Sequence, residues 1–295
     1  MDETAVSRAG ARPRRGLGGA ILQAVLVVGC MLYAMPFAWL VMSSFKGPTE
    51  LFAVPMRWIP DVFRHYPTDW FLAFRNFRTA AEFIPFGLWI GNTFYVTVLC
   101  VFFTALSSSF VAYGFSRMRW RGRDRVFILV LATMMLPAQV TMIPTFLIFN
   151  TLGWYNTLKP LWVGSLFGSA FSIFLLRQFM MTIPMDLEEA AKIDGAGHFR
   201  IYGTIILPLI KPALAVVAVQ AFQNAWNDFL GPYIYINAKN NMTIALGLQW
   251  FKSENWGLYG EMMATSLIMT LPMVAVFFFC QRYMIEGISL TGIKE

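Results

Sequence analysis

The sequence predicts an all-α, polytopic membrane fold of six transmembrane helices, on three observations. The 295 residues are 57% hydrophobic and only 13% charged, with a mean hydropathy of +0.57, where a soluble domain carries about 25% charged residues. Six apolar stretches are long enough to cross a hydrocarbon core, which takes roughly 20 residues of helix. The basic residues gather at alternate ends of those stretches.

The first stretch, 21–44, follows Arg8, Arg12, Arg14 and Arg15. Its apolar run is longer than the core of a secretory signal and no clear A-x-A site follows, so it counts as a span. Residues 1–20 then form an N-terminal tail and 21–295 one transmembrane domain. The segment 46–86, with Pro48, Pro55, Pro60, Pro67 and Pro85 beside Trp58 and Trp70, is an ordered loop at the membrane interface, where aromatic side chains are favoured. Further spans follow at 87–115, 126–149, 159–180, 210–234 and 263–285. Helix keeps every backbone hydrogen bond internal in each, as lipid requires. Cys30, Cys100 and Cys280 fall inside spans and read as small apolar residues, indicating neither a disulfide framework nor a metal site.

An even number of spans puts both termini on one side. That side collects fifteen Lys and Arg, including Arg117, Arg119, Arg121, Arg123 and Arg125 in a single loop, against eight on the other. Both termini are therefore expected in the cytoplasm. The net charge of +7 sits at membrane edges and forms no continuous stripe, which argues against a nucleic-acid partner.

Between the fourth and fifth spans, 184–208 carries Asp186, Glu188, Glu189, Lys192 and Asp194 in a chain that is otherwise sparing of charge. Asp186 is placed to cap a short helix, with Glu189 closing the reciprocal box. Gly195 and Gly197 let the backbone turn before a second short helix near His198 or Phe199, and Pro208 introduces the fifth span. The elbow is too small to bury its own apolar face. Docking on a partner and resting on lipid headgroups both fit the pattern.

Glu189-Ala190-Ala191, Gly195, Ile205 and Leu207-Pro208 together resemble the EAA signature of ABC importer permeases. Ile193-Asp194-Gly195-Ala196 and Leu207-Pro208-Leu209 are similar to the carbohydrate-uptake, MalG-like branch of these binding-protein-dependent permeases. The similarity runs on through Asn92-Thr93, Met135-Leu136-Pro137, Pro144, Gly153-Trp154, Trp226-Asn227-Asp228 and Gly292-Ile293-Lys294; the last residue is Glu295 where the family commonly has Gly. The resemblance implies a MetI-like or MalG-like fold in a plasma (inner) membrane. It also implies a coupling helix with Glu189, Ala190, Ala191, Asp194 and Gly195 in contact with a cytoplasmic ATPase. Implied partners are a second permease, two ATPase subunits that carry ATP and magnesium, and an extracytoplasmic solute-binding protein. The implied cargo is a sugar or sugar derivative. The chain itself has no G-x-x-x-x-G-K-[ST] loop, so no nucleotide cofactor is expected in it.

In the fifth stretch Gln220, Gln223, Asn224, Asn227 and Asp228 recur at i, i+3, i+4, i+7 and i+8. Such a stripe faces a bundle interior or a watered cavity. The amides read either as interhelical glue or as contacts to sugar hydroxyls along a translocation path. Asp228 reads as a substrate contact or as a structural salt bridge or helix cap. Phe222, Trp226, Phe229 and Tyr233 form a second stripe, which packs or covers an apolar sugar face. Pro137, Pro144 and Pro272 mark kinks tolerated within spans.

An ion-coupled secondary transporter is the alternative reading, but the intramembrane carboxylates it needs are sparse and no internal repeat is evident. An intramembrane enzyme needs a nucleophile, an acid-base pair or a metal set. Neither H-E-x-x-H nor G-x-S-x-G occurs, and His65 and His198 lie in loops. No catalytic and no metal-binding residue is therefore expected.

Overall fold

The computed structural model describes residues 17–65, 69–253 and 258–292, which form helices and no strand. The four arginines of the N-terminal tail and Ile293-Lys294-Glu295 lie outside the described residues. Helix α1 (Leu17–Ser43) starts four residues before the expected span. It is apolar all round, buries none of its most hydrophobic window, and leans on the last helix of the chain, as suits a helix surrounded by lipid.

Among its described residues the following loop is ordered, as its composition predicts. It contains the amphipathic helix α2 (Arg75–Phe83), whose buried Asn76 donates to the carbonyls of Ser44 and Lys46, each at 2.9 Å. Lys46 is fully buried, donates to the Arg57 carbonyl at 2.5 Å and lies 3.8 Å from the centre of the Trp39 ring. Burial pushes its ammonium pKa down, and the Glu50 carboxylate opposes that shift.

Helix α3 (Phe86–Arg117), 32 residues long, is the axis of the fold. The stretch expected as one span at 126–149 is instead two helices, α4 (Arg123–Ala132, extended by a 3-10 turn to Met135) and α5 (Ala138–Thr151), meeting at 97°. Pro137 is the cause: its ring excludes the α conformation from Leu136, which sits at φ −79°, ψ 118°. The fourth span runs over Lys159–Met181 and ends in α6 (Ala170–Met181). Gly168, at φ 75°, starts its last section close to Ser108.

The elbow consists of α7 (Asp186–Ile193) and α8 (His198–Ile201), the latter continuing through a π turn to Leu209. Pro208 does not open the fifth span as expected. The break comes at Ile210, where the chain bends by 79° into α9 (Lys211–Trp226), because Pro212 in the first turn of α9 has no N–H to continue the earlier ladder. The fifth span ends at Trp226 and not at 234. Then come α10 (Leu230–Tyr235), α11 (Ile244–Ser253) and α12 (Tyr259–Gly292), which accommodates Pro272 internally. Counting each bent pair as one crossing gives up to six spans.

Both α6 and α9 pack along α3. At the elbow end, Tyr113, Phe127, Leu176, Met180, Ile201, Ile206 and Val217 form one core. At the opposite end, Trp89, Ile236, Ile244 and Phe251 form another.

Candidate functional site

The elbow's two termini are built differently from one another. Asp186 does not cap α7: Met185 holds the N-cap position with helical angles (φ −71°, ψ −24°) and no side-chain cap bond, so the expected capping box is absent. Asp186, Glu188 and Glu189 instead occupy the first turn, where three carboxylates favour the positive end of the helix dipole. The far end closes as its glycine predicts. Gly195 sits at φ +80°, its N–H donates to the Lys192 carbonyl at 3.0 Å, and the Ala196 N–H reaches back to Ala191 at 2.9 Å, a Schellman closure.

Of the five candidate coupling residues, Glu189, Ala190, Asp194 and Gly195 face outward. Ala191 turns inward and packs on the core with Ala196, so the two adjacent alanines do not present a common surface. Ile193 is 86% exposed and Leu187 and Phe199 are exposed too, leaving an apolar face uncovered.

Glu188 points the other way and meets Arg117, the last residue of α3, with Arg117 Nε 3.1 Å from Glu188 Oε1 and both side chains at most 2% exposed. The same guanidinium donates to the Met180 and Ile183 carbonyls at the end of α6 and touches the Met185 sulfur. By sequence Arg117 stands only among the loop arginines, and Glu188 only among the charges of 184–208. A signal existed: Ser109, Tyr113 and Arg117 recur every fourth residue along one side of α3.

The polar stripe of α9 divides. Gln220, Asn224 and Asp228, four residues apart, line a cavity of about 540 Å³ with Cys100, Thr104, Ser165, Ser169 and Ser172. Among the described residues, no hydrogen-bond partner is found for the side chains of Thr104, Ser169, Ser172, Gln220 or Asn224. Gln223 and Asn227 lie elsewhere. Asn227 stands at the end of α9, its amide donating to the Gln223 carbonyl at 2.9 Å, and it borders a separate cavity with Lys252 and Tyr259. Asp228 accepts from the Gly231 N–H at 3.0 Å and so caps the chain entering α10 while also facing the polar cavity. The aromatic stripe packs in its first half: Trp226 is buried and donates to the Met269 carbonyl at 2.9 Å, and Phe222 stacks on it, bordering an apolar groove on α3, whereas Tyr233 is exposed and stacks on Phe229. The stripe does not cover the polar cavity.

At the opposite end, Asn92 and Thr93, which carried the family resemblance, hold a loop in place together with Trp89 and Asn156. Trp89 Nε1 donates to the Lys239 carbonyl at 2.7 Å, Asn92 Nδ2 to the Asn240 and Met242 carbonyls at 2.9 Å each, and Thr93 Oγ1 accepts from the Ile244 N–H at 2.9 Å. Asn156, at φ 60°, accepts the Asn237 and Ala238 N–H groups with its side chain and the Asn241 amide with its carbonyl.

Over residues 105–289, more than half of the chain, the sequence matches the family described as binding-protein-dependent transport system inner membrane component. It is 31% identical over 279 residues to the arabinooligosaccharides transport system permease protein AraQ of Halalkalibacterium halodurans, covering 93% of this chain and 97% of that one. It is 30% identical to the sn-glycerol-3-phosphate transport system permease protein UgpE of Yersinia enterocolitica, with 93% and 97% covered. Its fold matches a chain of a crystallised bacterial ABC transporter involved in importing the acidic polysaccharide alginate, with a TM-score of 0.76 at 21% identity over 96% of this chain and 100% of that one. A multi-pass helical chain with this family match along most of its length belongs to the binding-protein-dependent inner-membrane components, the permease subunits of ABC importers, and is not an enzyme.

Proposed function

We propose that this permease forms half of an import path for a sugar or sugar derivative. Its elbow sits on a cytoplasmic ATPase, both termini lie in the cytoplasm, residues 1–20 form a tail and 21–295 the transmembrane domain. The complex holds a second permease and two ATPase subunits that bind ATP and magnesium, while this chain carries no cofactor. An external solute-binding protein delivers the cargo, consistent with the family's own description.

The observation that carries the substrate class is the cavity on α3 and α9. Unpaired hydroxyl and amide groups in a membrane-embedded bundle are costly unless water or a polar solute meets them. Thr104, Ser169, Ser172, Gln220 and Asn224 offer both donors and acceptors, which suits a polyhydroxylated solute. The relatives named for arabinooligosaccharides and glycerol 3-phosphate lie in the same chemical class. For coupling, the support is the outward face of Glu189, Ala190, Asp194 and Gly195 beside the uncovered Ile193, with Ala191 supporting the helix from behind. An ion-coupled transporter finds no support in the family or its relatives.

The test is ATP-driven uptake of labelled arabino-oligosaccharides, lactose and glycerol 3-phosphate into vesicles holding the purified complex. Gln220→Leu with Asn224→Leu is expected to abolish uptake of the transported member while assembly persists. Undiminished uptake by that double variant overturns the pathway assignment. Gln223→Leu and Asn227→Leu, outside the cavity, are expected to have the smaller effect.

A further inference from the structure

We infer that the buried Arg117–Glu188 pair is the joint through which movement of the elbow reaches the long helix α3, a positioning role for both residues that rests on the coupling reading above. Glu188 is the one fully buried side chain of α7; the neighbours Leu187, Glu189 and Ala190 are exposed. Besides the small apolar contact of Ala191 with the core, the attachment of α7 to the spans therefore runs through a carboxylate. Its partner is anchored in turn: the Arg117 guanidinium also donates to the Met180 and Ile183 carbonyls and touches the Met185 sulfur. One side chain thus ties the end of α3, the end of α6 and the first turn of α7.

The chemistry makes this tie stiff. Among the described residues, neither oxygen of Glu188 accepts a hydrogen bond and Arg117 Nε donates none, so the buried carboxylate is compensated by the charge of Arg117 alone. An apolar contact can slide by an ångström at little loss, whereas a buried ion pair left uncompensated is strongly unfavourable. Displacing α7 therefore displaces Arg117 and α3 with it. The second elbow helix is attached along the same line of α3 by neutral groups: Ser109 Oγ lies 2.7 Å from the Tyr202 hydroxyl, and the Tyr113 and Tyr202 rings pack 5.4 Å apart. Helix α3 also carries Cys100 and Thr104 into the polar cavity, so a movement received at Arg117 arrives at the cavity wall along one continuous helix.

The experiment uses the whole complex, purified through a tag on this chain, with Cys30 and Cys280 replaced by Ala so that Cys100 is its one thiol. The rate of Cys100 modification by a small methanethiosulfonate reagent is compared without nucleotide and with ATP plus vanadate, alongside ATP hydrolysis and co-purification of the ATPase. In Glu188→Gln, the ATPase is expected to co-purify and hydrolyse ATP, while the nucleotide effect on Cys100 modification falls at least about fivefold, the lower bound of ordinary coupling factors. A nucleotide response equal to that of the unchanged chain overturns the joint. Should Glu188→Gln not accumulate in the membrane, Glu188→Asp takes its place: a reduced response with hydrolysis retained supports the joint, and an unchanged response overturns it. Tyr113→Phe, which removes a buried hydroxyl that makes no hydrogen bond among the described residues and keeps the ring, is expected to leave the response intact. Ile193→Asp on the outward face tests the docking reading separately. Retained ATPase and retained response in that variant overturn the docking face, independently of the outcome at Glu188.

Discussion

The two ends of α3 hold their neighbouring segments by opposite means. At the first end, Trp89, Asn92 and Thr93 fix the 239–244 segment through neutral hydrogen bonds to its backbone, and Asn156 adds more from the far side. At the last end, a single guanidinium bears on two carbonyls, a sulfur and a buried carboxylate. Many weak, redundant bonds to backbone give a segment that stays where it is, and losing any one leaves the others. One charged pair concentrates the attachment at a single point and fixes a direction of pull. The first arrangement suits a platform and the second a joint.

The comparison can be broken most severely at Arg117. Arg117→Ala is expected to destabilise the protein by about 3–5 kcal/mol, because Glu188 is left buried and uncompensated; thermal unfolding in detergent measures it. Replacing both partners with Arg117→Met and Glu188→Leu is expected to recover most of that loss, since a well-packed apolar pair is commonly neutral. Failure to recover would show that the carbonyl caps on α6 dominate the end of α3. At the other end, Gly247→Ala would set a methyl group into the Trp89 ring, an overpacking expected to cost about 1–3 kcal/mol by the same unfolding assay. Asn156→Ala leaves the Asn237 and Ala238 N–H groups without their acceptor and puts alanine at φ 60°, for a loss of about 1–3 kcal/mol. Faster hydrogen exchange at those two amides would locate the effect. Asn92→Ala is expected to cost the least, about 1 kcal/mol, because Trp89 and Thr93 still hold the segment. A larger loss there would mean the redundancy is illusory.

The number and approximate position of the spans were legible because hydrocarbon thickness sets their length and lipid sets their polarity. The 97° break was less legible although Pro137 stood in plain view, since prolines within spans are often absorbed, as Pro272 is in α12. The end of the elbow helix was readable from Gly195, where local backbone geometry decides the outcome. Its start was not, because Asp186 fits a cap by residue type while the observed turn begins one residue earlier, at Met185. The polar stripe was real as a pattern but was expected to share one environment. Helical rotation of about 100° per residue sets Gln223 and Asn227 off the line of Gln220 and Asn224, and α9 stops at Trp226 before the last two members.

What the sequence determined by itself was an all-helical membrane chain of six apolar stretches with a glycine-terminated elbow between the fourth and the fifth, since hydropathy, length and glycine geometry act locally. Tertiary structure alone decided which way each polar group turns. Glu188 and Glu189 are adjacent carboxylates in one turn of helix, yet one is sealed against Arg117 and the other faces out. Their difference depends on where α7 lies against the ends of α3 and α6, a contact between residues 71 positions apart that no local pattern encodes.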